Sequence, residues 1–278
     1  MKGLNPGSPK YCGLEVVGGT HFPESWRGNL VTNDFRGHRV CRFVLTEDGS
    51  GYAAREQSEI IKSDHVAFRP IDVKMGPDGA LYIADWYNPI IQHGEVDFRD
   101  SRRDHTHGRI WRVTAKGRPL VPRVDLSRQP TSKLVGLLSS PEDFSRHHAR
   151  RVLKERGPGE VLPALTAQVA SLEPGSARFE HDRLEALWTF QALDAPNPEL
   201  LSAVLRSPEP RARAAAVRVL SAWSDRVPDP LGALAVAVGD DHPRVRLEAV
   251  RALAGLAQPV AAELALRALD RPLDANLD

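Results

Sequence analysis

The feature that most constrains this 278-residue chain is a near-repeat in its C-terminal half. Pro210-Arg211-Ala212-Arg213-Ala214-Ala215-Ala216-Val217-Arg218-Val219-Leu220 recurs 33 residues later as Pro243-Arg244-Val245-Arg246-Leu247-Glu248-Ala249-Val250-Arg251-Ala252-Leu253. The same helical phrase stands in 183–188 and, more weakly, in 146–153, so Ala149, Ala186, Ala216 and Ala249 mark periods of 37, 30 and 33 residues. A small residue at each mark lets neighbouring helices approach, and the Val or Leu that follows fills the core. One such helix pair cannot bury its apolar face alone, but stacked pairs can, so a solenoid is predicted. Residues 261–269 read as a further repeat helix, and the run stops at Asp278 without a polar cap, as in a cut solenoid. The arginines at the helix starts, Arg211, Arg213, Arg244 and Arg246, read as a solvated face.

The N-terminal half has a different period. Strand-like runs at 13–17, 29–34, 39–45 and roughly 52–61 are separated by breaks rich in Gly, Pro and Asp. Two more, 71–75 and 80–84, flank Gly76-Pro77-Asp78-Gly79, where Pro77 presets φ and Gly79 can take φ > 0, a hairpin signal with a mechanism. Pro89 ends the second of these, and 109–113 restarts a strand. Four consecutive antiparallel strands make a meander, the form of one β-propeller blade, with a second blade begun at Phe68. Pro119 and Pro122 make 119–124 a poor fourth strand for it. Since a propeller closes with about four blades or more, the chain is expected to be an internal piece of a longer protein.

Between Tyr87 and Thr106 lie about twenty residues crowded with charge, and a loop that long within compact β structure is functional or disordered. Three candidate sites fall in or beside it. Asp85, Trp86, Tyr87 and Asn88 suit a sugar, aromatic faces stacking on rings and carboxylates taking hydroxyls; equally, Asp85 and Asn88 cap a turn by accepting backbone amides. His105 and His107, two apart, with Asp104 adjacent and His93 across the loop, supply three nitrogens and a carboxylate for a divalent metal, or else loop-fixing hydrogen bonds. Arg99, Arg102, Arg103 and Arg109 could fork onto an anion, or pair with Asp97, Asp100 and Asp104. At the entry to the preceding strand, Arg69 and Asp72 either face a substrate or form one salt bridge.

Charge excludes a nucleic-acid module on this basis: residues 1–115 carry 15 Lys/Arg against 15 Asp/Glu, and the remainder 22 against 21. Two cysteines, Cys12 and Cys41, are too few for a disulfide framework and form no CxxC or CxxCH pattern; they pair or remain free thiols. The first residues lack the apolar core of a signal peptide, and no run of about 18 apolar residues exists. No Walker loop, GxGxxG or ordered Ser-His-Asp set is present, and no residue is assigned as catalytic.

The segment Asp240–Leu253 resembles the short bacterial HEAT repeats with a D-x-x-P-x-V-R-x-x-A-x-x-A-L signature. The segments Phe68–His93 and Arg102–Thr114, taken with His21-Phe22-Pro23 and Trp26-Arg27-Gly28-Asn29, resemble a family of Planctomycetes and Verrucomicrobia: the membrane-bound-type dehydrogenases related to glucose/sorbosone dehydrogenase propellers. The resemblance covers about 11–115 through those motifs and 131–278 by architecture. It implies a mixed β and α chain of two domains: C-terminal blades of a β-propeller at 1–115, a linker at 116–130 and HEAT-like repeats at 131–278. It implies further an exported, periplasmic protein oxidising a sugar or polyol, with pyrroloquinoline quinone or a divalent metal as cofactor, passing electrons to a c-type haem domain outside this chain. On that reading this portion alone is inactive. Arg69, Asp72, Asp85, Trp86, Tyr87, Asn88, Arg103 and Arg109 would touch substrate or cofactor, and His93, Asp104, His105 and His107 a metal. The other expectation is a scaffold in which propeller and solenoid hold a glycan or a protein partner without turnover.

Overall fold

The computed structural model describes residues 1, 3–4, 11–92 and 94–277. It divides into two compact units, Met1–Thr46 with Tyr52–Val124 and Pro141–Phe144, and Glu47–Gly51 with Asp125–Ser140 and Ser145–Asp278.

The first unit is built of antiparallel strands: β1 (Tyr11–Val16), β2 (Leu30–Asp34), β3 (Arg39–Asp48), β4 (Gly51–Glu56), β5 (Ile61–Lys62), β6 (Pro70–Met75), β7 (Leu81–Asp85) and β8 (Arg109–Val113). One sheet runs β1-β2-β3-β4 with β5 also on β3, and the other runs β6-β7-β8. All five residues of β2 are buried because the strand is paired on both edges and covered on both faces. Val31 and Val40 share one core with Val73, Leu81 and Ile83 of the second sheet, while Leu30, Cys41, Phe43 and Ala54 pack on the opposite face. This is the period-2 alternation of strands. The register shift at Gly13 in β1 leaves the Cys12 and Gly13 carbonyls to the side chains of Asn33 and Thr32, which explains buried polar residues in a central strand.

Cys12 lies opposite Asn33 on β2, and Cys41 lies opposite Thr32 from the other side. Two strand spacings, about 9–10 Å, separate them, beyond the reach of a disulfide. Both are free thiols.

The β6–β7 hairpin turns where the Gly-Pro-Asp-Gly signal places it, with the Gly76 amide bonded to the Ala80 carbonyl at 2.8 Å. Gly79 has φ of +78° and sits so close to the Cβ of His21 that no side chain fits. Residues 119–124 form no strand; instead the Val121 amide bonds the Asp78 carbonyl at 2.9 Å. Among the described residues neither sheet closes into a barrel or a propeller ring.

The second unit is helical: α1 (Thr131–Gly136), α2 (Asp143–Arg156), α3 (Pro158–Ala170), α4 (Phe179–Ala192), α5 (Pro198–Leu205), α6 (Pro210–Ala222), α7 (Pro230–Val238), α8 (Pro243–Ala254) and α9 (Pro259–Leu266). Ala149, Ala186, Ala216 and Ala249 fall on α2, α4, α6 and α8, and all four are buried. Proline occupies the first turn of α3 and of α5 through α9, where its missing N–H costs nothing.

The arginines three residues before the alanine marks are not a solvated face. Arg146, Arg213 and Arg246 each donate from Nη1 to the carbonyl six residues back, of Ser140, Ser207 and Asp240 respectively. Arg213 also forks onto Asp240, both contacts at 2.8 Å, and Arg246 is buried and reaches the Pro272 carbonyl. The same geometry at equivalent positions makes these arginines staples of the repeat: each fixes the turn entering its own helix. Among the described residues no helix is long and apolar enough to cross a membrane.

Candidate functional site

The end of β7 delivers Asp85 into a buried position, 3% exposed, because β7 alternates and its odd residues Leu81, Ile83 and Asp85 face inward. Its Oδ1 accepts the amides of Arg69 at 2.8 Å and Tyr87 at 2.9 Å, and its Oδ2 accepts Trp111 Nε1–H at 3.0 Å. A buried carboxylate needs such partners, and the fold supplies three of them. Asn88, also buried, accepts the Ile90 amide on Oδ1 at 3.1 Å. Both residues therefore hold the turn that opens the loop.

Tyr87 stands between them in the left-handed region, φ 51°, unusual for a side chain of this size. What holds it there is visible: the Asp85 carboxylate on its amide, the Arg109 guanidinium 3.5 Å from its ring centre, and the His65 ring stacked at 5.7 Å. Trp86 is half-buried, and its amide bonds the Arg69 carbonyl at 2.9 Å.

Arg69 and Asp72 do not meet as an ion pair. Asp72 faces outward beside Lys74 at 3.5 Å. Arg69 is 6% exposed and is clasped by main-chain oxygens of Asn88, Phe35, Arg36 and Pro89, with His38 Nε2 at 3.3 Å. Because His38 bonds the Phe68 carbonyl through Nδ1, its Nε2 carries the lone pair that accepts from Arg69. Burial pulls the Arg69 pKa down, with Asp85 acting in the other direction.

Arg103 plays the same part for the middle of the loop. Its guanidinium donates to the carbonyls of Asp97, Ile90, Gln92 and Val96 at 2.6–3.3 Å and lies over the Phe98 ring. Arg102 forks onto Asp100 at 2.7 and 2.8 Å, and hydrogen bonds from that side chain and the Arg102 amide hold the Asp100 carboxyl well below the usual range. With Arg103 on carbonyls, Arg102 on Asp100 and Arg109 on Tyr87, these arginines do not converge as a fork for a quinone carboxylate.

Asp104 accepts the amides of Thr106 and His107 and the His107 Nδ1 at 2.9 Å, and these bonds, the Thr106 amide first, keep its pKa at about 2. His105 is exposed, and His93 lies outside the described residues. Among the described residues no group of three His, Cys, Asp or Glu side chains could hold a metal ion. What Asp104, His105 and His107 do share is one wall of a recess of about 540 Å³ with His65, Tyr87 and Thr106.

Two features of this region have no local signal in the sequence. A second cavity of about 690 Å³ brings Arg36 and His38, thirty residues upstream, beside Arg69 and the first half of the loop. Asp78, legible only as a turn residue, is buried and receives Arg112, Arg123 and the Tyr82 hydroxyl on one oxygen. Burial alone would raise its pKa, but those bonds outweigh it and hold the carboxyl far below the usual range.

A mixed fold with antiparallel sheets and a HEAT-repeat region is thus the class this chain represents. A family model for HEAT repeats matches residues 197–277, and one for a domain of unknown function, DUF7133, matches residues 8–117. No curated protein matches the chain. A crystal structure of an engineered protein is similar over 50% of this chain and 68% of its own, at 24% identity and a TM-score of 0.32.

Proposed function

We propose that this chain is a binding portion of a glucose/sorbosone-dehydrogenase-like exported protein: the last propeller sheets, holding a saccharide, and a HEAT solenoid holding a protein partner. The observation that carries the reading is Asp85. The carboxylate best placed by sequence to handle a sugar hydroxyl is buried and engaged by three donors of its own fold. Arg69, whose amide Asp85 accepts, and Arg103, farther along the loop, clasp main-chain carbonyls. His65, His105, Thr106 and His107, which face solvent, and half-buried Tyr87 line the open recess; Arg102, Arg103 and Asp104 line it too but are engaged within the loop, so the rings and hydroxyls suit a neutral polar ligand. On this reading the quinone and the c-type haem that the resemblance implies are held elsewhere in the parent protein. The recess binds, and turnover happens elsewhere.

The test uses the intact chain with a panel of neutral saccharides and polyols, followed by saturation-transfer NMR and by reduction of an artificial electron acceptor, with and without pyrroloquinoline quinone and Ca²⁺. Saccharide binding without dye reduction is expected. Sugar-dependent reduction overturns the binding-only reading, and absence of saccharide binding removes the glycan.

A further inference from the structure

The 690 Å³ cavity beside Arg69 is separate in chemistry from the recess at Tyr87. A guanidinium has five N–H groups. In Arg69 the Nε hydrogen goes to Asn88 O, and the two on Nη1 are shared among Phe35 O, Arg36 O and His38 Nε2. On Nη2 only Pro89 O accepts, at 3.1 Å, so its second hydrogen has no described acceptor. Asp85, whose Oδ1 accepts the Arg69 amide, is the carboxylate that acts on this buried cation, and it does so without a bond to the guanidinium among the described contacts. A charge removed from water is costly unless it is paired and fully hydrogen-bonded. Five main-chain and imidazole contacts of partial charge reduce that cost without cancelling it.

The wall around Arg69 carries the complementary information. Arg36 and Arg102 line it with Glu95 as the one acid among the described lining residues; Arg102 is already forked onto Asp100, so Arg36 and Arg69 are the cations left to a ligand. Ile90, Ile91 and Val96, all half-buried, supply an apolar side. We infer that this cavity is a binding site for a small organic carboxylate, whose planar head takes the remaining Arg69 N–H with Arg36 and whose apolar body lies on Ile90, Ile91 and Val96. The carboxylate bonds directly to the Arg69 N–H that has no described acceptor, and the volume falls within the usual range for small-molecule sites. This goes beyond the saccharide reading, which concerns a different wall of the loop and neutral ligands.

The experiment is calorimetric titration of the intact chain with benzoate and hexanoate, with benzamide and hexanamide as uncharged counterparts and inorganic phosphate as a competing oxyanion. Both carboxylates are expected to bind, each amide at least about ten-fold more weakly, the loss of a charge-assisted bond. Arg36→Gln, at an exposed position where folding is undisturbed, should weaken the carboxylates several-fold and leave the amides unchanged; Ile91→Asp should abolish both. Equal binding of acid and amide, insensitivity to Arg36→Gln, or no carboxylate binding overturns the inference. Phosphate binding as tight as benzoate overturns the choice of carboxylate. Saccharide binding at the other recess can succeed or fail independently of each of these outcomes.

Discussion

Asp85 shows at the scale of one residue how an apparent ligand becomes a structural part. Replacing it with alanine leaves the amides of Arg69 and Tyr87 and the Trp111 indole without their acceptor. Asp85→Ala is expected to cost on the order of 3 kcal/mol, read from urea unfolding. Asp85→Asn, which keeps one acceptor oxygen, should cost less. Asp78 yields a pH dependence. Its folded pKa is depressed, so its contribution to stability is present above the unfolded carboxylate value of about 3.9 and lost as pH falls below it. Asp240, half-buried against Arg213, and Glu248, buried against Arg218, shift in the same direction. The urea midpoint should therefore fall steeply from about pH 5 towards pH 2, and Asp78→Asn should flatten part of that limb. A midpoint unchanged by acid would contradict these pairings. The thiols offer a separate check: burial pushes Cys12 up to about 11 and Cys41 to about 12. Both should alkylate slowly with iodoacetamide at pH 8 until denaturant is added, because the thiolate is the reactive form.

At the scale of elements, the loop and the helices hold themselves by the same device, an arginine clasping carbonyls. Arg103 does so for 90–97, and Arg146, Arg213 and Arg246 do so for the turns before their helices. Arg103→Gln should release the loop, and chymotrypsin should then cut after exposed Phe98 faster than in the parent, while β6–β7 stays intact. An unchanged cleavage rate would mean that the loop is held by something else. In the helices, Ala249→Leu places a larger side chain at a fully buried contact of α8 and should destabilise by about 1–3 kcal/mol, whereas Ala262→Leu on the outer side of α9 should change little. The helical marks were legible because a small residue in a period near 33 has one purpose, close helix approach. The β6–β7 hairpin was legible because its turn residues each have a local reason to be there. The arginines were not: a side chain that bonds a carbonyl six residues back leaves no pattern distinguishing it from a solvated cation.

For the whole molecule, what the sequence made readable was everything that follows from short-range periodicity: antiparallel strands in the first part and the HEAT-type repeat in the second. What it hid were juxtapositions made by the sheets, such as Arg36 and His38 beside Arg69, or Trp111 reaching back to Asp85 across the β7–β8 pair. Those contacts decide whether the loop's charges are available to a ligand, and no spacing rule contains them. The central claim is that Asp85, Asn88, Arg102, Arg103 and Asp104 are architecture, leaving the recess and the cavity beside this loop for ligands. Native-state amide hydrogen exchange across 85–108 tests it most directly. Slow exchange is expected at the amides of Tyr87, Ile90, Arg103 and Thr106, which are bonded to Asp85, Asn88, Asp100 and Asp104, with protection lost through the loop in Arg103→Gln. Exchange at free-chain rates throughout this segment in the unmutated protein would contradict it, and would return Asp85 and Arg103 to the list of groups open to chemistry.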